Sequence, residues 1–163
     1  MGRPPSVEAC ALRGHTPTRL KQTDGRTRDL SAEDAMELYG VTVTTPLRTA
    51  LDLACNLRRR EAMAAVNAFA RSHGVTAEQM GAELRRFRGR RGVRQLRDLI
   101  SLLEPLIESQ RESWLWLEIH DHGLPLPVPQ HWIDIDGVPT YRLDFAIRTP
   151  ASAWSTTGSS STT

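Results

Sequence analysis

Apolar positions change period several times along this chain, and each change predicts an element. "SVEACALRG" alternates weakly and predicts a short strand, after which "HTPTRLKQTDGRTRDL" reads as a loop with turn residues at Pro17, Asp24 and Gly25. "SAEDAMELYG" predicts a short helix, with Ser31 as N-cap, Glu33 and Asp34 in its first turn and Gly40 as its stop. Val41 to Thr44 alternate with β-branched residues and predict a strand. Thr45 and Pro46 then open a helix, since proline lacks an N–H that a first turn would leave unpaired anyway, and Leu47, Ala50, Leu51 and Ala54 follow at helical spacing. A second helix, about 59 to 72, carries Ala62, Val66, Phe69 and Ala70 on one side and stops before Gly74. "TAEQ" at 76 to 79 fits a capping box and opens a third, with Met80, Leu84 and Phe87 inward. A fourth follows Gly89 and Gly92 and runs to Glu104 before Pro105, its face built from Val93, Leu96, Leu99, Ile100 and Leu103.

The pattern shifts again at Ser109. "SQRESWLWLEIHDHG" predicts a helix capped by Ser109, with Glu112 closing a capping box and Gly123 ending it. A proline-punctuated lead-in, a strand at 130 to 135, an Asp136-Gly137 turn and a strand at 140 to 147 come next. The expected fold is therefore α/β in the α+β sense: a helical N-terminal and middle region, then a helix with a β-hairpin. Its expected divisions are 1–44, a strand and loop region; 45–107, helical; 108–148, the helix and hairpin; and 149–163, a disordered Ser/Thr tail.

Composition narrows the function classes. With 39% hydrophobic and 25% charged residues the chain reads as a folded soluble protein, and no apolar run approaches the roughly 18 to 20 residues that cross a bilayer. The N-terminus lacks the apolar core of a secretory signal, so a cytoplasmic location is expected, with Cys10 and Cys55 as reduced packing residues. "MGRPPS" matches a myristoylation pattern only formally, since Pro4 and Pro5 interrupt it. Net charge is +2, so any nucleic-acid argument rests on where the charge sits. Lys21 is the one lysine among 21 basic residues, a bias that a G/C-rich genome explains without selection for guanidinium chemistry.

The densest basic stretch is "RRFRGRRGVRQLR", holding Arg85, Arg86, Arg88, Arg90, Arg91, Arg94 and Arg97. These are candidate phosphate contacts, or else a solvated interhelical loop. His120 and His122, two apart on a helix, point away from each other and cannot clasp one metal ion. On the last strand Tyr141, Leu143, Phe145 and Ile147 share one face, leaving Arg142, Asp144 and Ala146 on the other. A strand acid on a polar face is usually solvated. Beside a helical glutamate and a hairpin, however, Asp144 also fits the start of a metal-dependent nuclease sheet.

From Val41 to Ile147 the sequence resembles a family of actinobacterial proteins with a C-terminal very-short-patch-repair-like (Vsr-like) endonuclease domain of the PD-(D/E)XK class, often grouped with type IV toxin–antitoxin AbiEi-type antitoxins. The stretches that carry the resemblance are "GVTVTTPLRTALDLA", "RGRRGVRQLRDLI", "ESQRESWLWLEI" and "PVPQHWIDIDGVPTYRLDFA". It implies that Glu112 and Asp144 are the catalytic acids, that Asp144 ligates Mg²⁺ and that Gln130 contacts DNA. Intact relatives would continue with a Val-Glu-x-Asp-Gly type strand, which is not found here. The tail "ASAWSTTGSSSTT", given G/C-rich codons and read two bases later, decodes as Val-Gly-Val-Glu-Tyr-Asp-Gly, so a frameshift near Ala146 to Ala151 is expected. A lone acid holds Mg²⁺ poorly. The expectation is thus a truncated, inactive nuclease-fold protein with no metal bound. The alternatives are a DNA-binding or AbiEi antitoxin-like regulatory module with DNA and a cognate toxin as partners, and a pseudogene product.

Overall fold

Thr45 and Pro46 start the helical core as the sequence predicts. In a computed structural model, which describes residues 7–12 and 23–147, the Thr45 hydroxyl accepts a hydrogen bond from the Arg48 N–H at 3.2 Å, and helix α1 runs over Pro46–Asn56. Helix α2 (Arg59–His73) ends at Gly74, whose backbone is left-handed at φ 65°. Thr76 and Gln79 exchange both capping-box hydrogen bonds at the start of α3 (Ala77–Glu83), which tightens into a 3-10 turn over Leu84–Phe87. Helix α4 spans Val93–Ser101 and α5 spans Gln110–Asp121. The fourth helix stops three residues short of the predicted Glu104. Past Ser101 the Leu102 and Leu103 amides reach back only three residues, to Leu99 and Ile100, and Asn67 takes the Glu104 N–H at 3.0 Å.

These helices share one apolar core. Leu51, Met63, Val66, Met80, Phe87, Leu96, Leu99 and Leu117 are buried together, and most of them stand on the faces the periodicity marked. Buried polar groups are paired where helices meet. Gln95 Nε2 donates to the Ala54 and Leu57 carbonyls, satisfying the end of α1, and Trp116 Nε1 donates to the Leu102 carbonyl at 3.0 Å. Asn67 Nδ2 donates to the Ser113 hydroxyl, so α5 is held against α2 by a polar contact inside an apolar seam.

Three two-stranded sheets accompany the helices among the described residues. β1 (Val7–Leu12) and β2 (Thr23–Arg28) pair in parallel, Val7 opposite Thr23 and Leu12 opposite Arg28. The second strand of this pair departs from the expected loop: Asp24 and Gly25 lie within it. β3 (Ala35–Leu38) and β4 (Val41–Thr44) form an antiparallel hairpin. A helix over 31–40 is therefore corrected to a 3-10 turn at Ala32–Asp34 followed by a strand. The reason lies in Tyr39 and Gly40, both at positive φ (50° and 77°), a two-residue turn whose twist suits a hairpin and which brings Leu38 opposite Val41. β5 (Val128–Ile135) and β6 (Val138–Ala146) form the last hairpin, turning at Asp136 and Gly137 as predicted. The α+β class holds.

One glycine is required by close approach. Gly92, at φ 81° before α4, passes so near α1 that a Cβ there would lie 2.1 Å from the Cys55 carbonyl oxygen. Left-handed strain and a backbone clash would combine in Gly92→Ala, which is expected to lower unfolding free energy by roughly 3 kcal/mol. Urea denaturation of the two chains measures it.

Candidate nucleic-acid interface

Arg48 lies on the inner side of α1 and is 1% exposed, and a guanidinium cannot shed its proton to escape that burial. Two carboxylates meet it. Nη1 donates to Asp34 Oδ2 at 3.0 Å, and Nε and Nη2 donate to Asp52 Oδ2 and Oδ1 at 3.0 and 3.3 Å, one helical turn along α1. Nη1 also donates to the Asp29 carbonyl at 3.1 Å. Asp34, itself buried, collects further donors: the Ser31 N–H at 2.8 Å, the Ser31 hydroxyl at 3.0 Å, and both terminal nitrogens of Arg86. Burial pushes the Asp34 carboxyl up, but the hydrogen bonds from Arg86 and Ser31 and the charge of Arg48 outweigh it and bring its pKa down to about 2. The adjoining cleft, about 120 Å³ between Asp34, Arg48, Glu83 and Arg86, is far smaller than the roughly 300 Å³ of a small ligand-binding cavity. The cluster is a fastening between the segment 29–34 and the helical core.

That fastening divides the basic stretch. Arg86 is taken by Asp34 and Glu83, the latter at 2.6 Å, and these hydrogen bonds raise its pKa. Arg90 lies over the Phe87 ring, its Cζ 4.8 Å from the centroid, while the Arg48 Cζ lies 5.5 Å from the same centroid. Arg85, Arg88, Arg91, Arg94 and Arg97 are exposed, recur at every third position, and have no acidic partner among the described residues. Nearby acids are already engaged: Glu83 with Arg86, and Asp98 with Arg59 at 3.6 Å. Arg59 also donates to Asp121 at 2.9 and 3.0 Å, which lowers the Asp121 pKa to about 2. What remains is a set of five exposed guanidinium groups, distributed from the 3-10 turn to α4.

The other expected site residues are placed differently. Glu112 sits in the first turn of α5, where its carboxylate accepts from the Glu108 N–H at 2.9 Å; the Ser109 hydroxyl caps the Glu112 N–H at 3.2 Å. The reciprocal bond of the predicted box thus goes to the residue before the cap. Gln130 adopts a left-handed φ of 50°, and its side-chain amide is buried without a hydrogen-bond partner, as is Trp114 Nε1. Asp144 is exposed on β6 and has no ion pair among the described residues. Among the described residues no group of three or more His, Cys, Asp or Glu side chains could hold a metal ion. His120 and His122 engage Asp121 and the Glu118 carbonyl, at 3.1 and 2.8 Å. The Ser/Thr tail and all but Ala146 and Ile147 of the expected frameshift stretch lie outside the described residues, and no helix among the described residues is long and apolar enough to cross a membrane.

Sequence reasoning missed Arg48 and Asp34 as partners. One signal was available: Arg48 and Asp52 are four apart, on the side of α1 that also carries Leu51. The other partner, 14 residues away, carried no such signal.

Residues 4–104 match the model of the AbiEi antitoxin C-terminal domain, and the chain belongs to that family. The match contains the Asp34–Arg48–Arg86 fastening and all five of these exposed arginines, and excludes Glu112, Gln130 and Asp144. Two proteins of Mycobacterium tuberculosis, Uncharacterized protein MT2308 of strain CDC 1551 / Oshkosh and Uncharacterized protein Rv2248 of strain H37Rv, are each 37% identical to it over 107 residues. That stretch covers 66% of this chain and 40% of each relative, so the chain spans less than half the length of the curated relatives it matches. No solved structure matches it.

Asp34→Asn would leave Arg48 and Arg86 facing a neutral group, and is expected to destabilise the protein by roughly 3 kcal/mol at pH 7. The folded-state pKa of Asp34 lies below its unfolded value, so its charge contributes stability above about pH 4 that is lost as pH falls toward 2. Stability measured by urea titration across that window should fall less steeply in D34N, with about one proton fewer taken up on unfolding.

Proposed function

We propose that this chain is an AbiEi-type antitoxin module that binds duplex DNA through Arg85, Arg88, Arg91, Arg94 and Arg97. The observation that carries the reading is that these five exposed arginines have no acidic partner among the described residues, in a protein whose net charge is only +2. Free guanidinium groups of this kind neutralise phosphates and release the counterions condensed on DNA. Support comes also from the footing of these arginines. Phe87 and Arg86, between the first two of them, are held by the buried fastening, so the loop need not be ordered at the moment of binding.

The antitoxin reading is favoured over a nuclease because the family match covers the arginines and stops before Glu112, Gln130 and Asp144. A cognate toxin is the second partner that the family's name implies. Backbone phosphate contacts position a protein without reading sequence, so these arginines supply affinity and the specificity lies elsewhere.

The test is fluorescence anisotropy with labelled duplex DNA at several salt concentrations. Each phosphate contact contributes a slope of about 0.9 in log affinity against log salt, so R88E/R91E/R94E should lower the steepness by about 3. Equal slopes for the natural and substituted chains would remove these arginines from the binding surface.

A further inference from the structure

The hairpin β5–β6 is anchored at one end only. Phe145 stacks on Trp116, with ring centroids 5.9 Å apart, and Arg142 pairs with Glu108 at 3.0 Å, which fastens the hairpin beside α5. Toward the turn, Trp132, Ile135, Val138 and Tyr141 keep about half of their surface or more in water, and no other described strand pairs with either edge. A two-stranded sheet is marginal in water, and a regular open edge is a template for another strand.

The two edges differ. β5 is irregular along the stretch that faces the end of β6: Pro129 lacks a donor, and Gln130 is left-handed and drops out of the ladder. β6 has no residue at positive φ; its one proline, Pro139, and its one bulge, at Thr140, lie toward the turn, and Tyr141 to Ala146 keep a constant register. β6 is the edge suited to pairing.

The sequence of β6 complements itself. We propose that β6 pairs antiparallel with β6 of a second copy of this chain, about a two-fold axis at Leu143, making a four-stranded sheet from two hairpins. Antiparallel pairing centred there sets Arg142 opposite Asp144 of the partner subunit, and Asp144 opposite the partner's Arg142. Tyr141 faces the partner's Phe145 on the other side of the sheet, again twice. Opposite charges and aromatic pairs directly across strands are the contacts that stabilise a sheet, and an isologous interface forms each of them in duplicate. The register is specified as well: recentring the axis on residue 142 sets arginine against arginine, and recentring on 144 sets aspartate against aspartate. Asp144 is exposed and has no ion pair among the described residues, so it can take this partner, while Arg142 keeps nitrogens for a second carboxylate beyond Glu108.

Sedimentation equilibrium of the full chain, with and without Asp144→Arg, tests the pairing. A concentration-dependent dimer is expected, and D144R, which converts two attractive cross-strand pairs into repulsive ones, should raise its dissociation constant about tenfold or more. A second measurement does not depend on that variant. In a chain whose two natural cysteines are replaced by alanine, Leu143→Cys should form a disulfide-linked dimer under mild oxidation, because Leu143 faces itself across the axis. Thr140→Cys should not, since it stands three residues from the axis and so far from its own copy. A monomer throughout the micromolar range would overturn the proposal, whether β6 backbone amides then exchange freely or are protected by another segment. So would a dimer that D144R leaves unchanged and L143C fails to cross-link.

Discussion

A permanent charge at a buried site governs the first half of this structure. Arg48 is enclosed in the core side of α1, and a guanidinium ion removed from water is tolerated only with carboxylates and carbonyls around it. Asp52, one turn along the same helix, supplies part of that shell. The rest must come from another part of the chain. Asp34 and the Asp29 carbonyl provide it, which ties the segment before β3 to the helical bundle by electrostatics where few apolar contacts would do so. Ser31 then shapes the 3-10 turn that delivers the carboxylate, since both its N–H and its hydroxyl donate to Asp34.

The same carboxylate sorts the arginines. Nearly all the basic residues of this chain are arginines, and the structure separates their roles by what each guanidinium meets. Arg86 completes the shell of Asp34; Arg90 covers Phe87; Arg59 and Arg60 brace α2 against α5 through Asp121 and Glu118. Those at 85, 88, 91, 94 and 97 are exposed, with no acidic partner among the described residues. A net charge of +2 conceals this division, because Asp34, Asp98, Glu108, Glu118 and Asp121 are engaged in fastening elements to one another. Local surplus, and not total charge, is what a polyanion would encounter.

The second half obeys a different rule. Helix α5 is bound to the bundle by Trp116, Leu117 and the Asn67–Ser113 contact, so it belongs to the core that the helices share. The hairpin beyond it has a foothold at Phe145 and Arg142 and little else. Its outer half keeps large apolar side chains in water, as the β3–β4 hairpin does at Leu38, Tyr39 and Val41, in contrast to the buried helical core between them.

Local chemistry was enough to read much of this from the residues in order. Thr45-Pro46, the Thr76–Gln79 box, Gly74 and Asp136-Gly137 act within a few residues of themselves, so the starts and stops they mark coincide with those observed. Apolar spacing identified most of the core for the same reason: one face of a helix has one place to go. Where the outcome depended on residues far apart in the chain, the sequence was silent or misleading. The acidic turn at Glu33 and Asp34 has the composition of a helix start, yet Asp34 is drawn to Arg48 and Arg86, and Tyr39-Gly40 folds residues 35–44 into a hairpin. Seven arginines between positions 85 and 97 look equivalent on paper. Only folding, by placing one carboxylate beside one of them and an aromatic ring beneath another, decided which were left to face solvent.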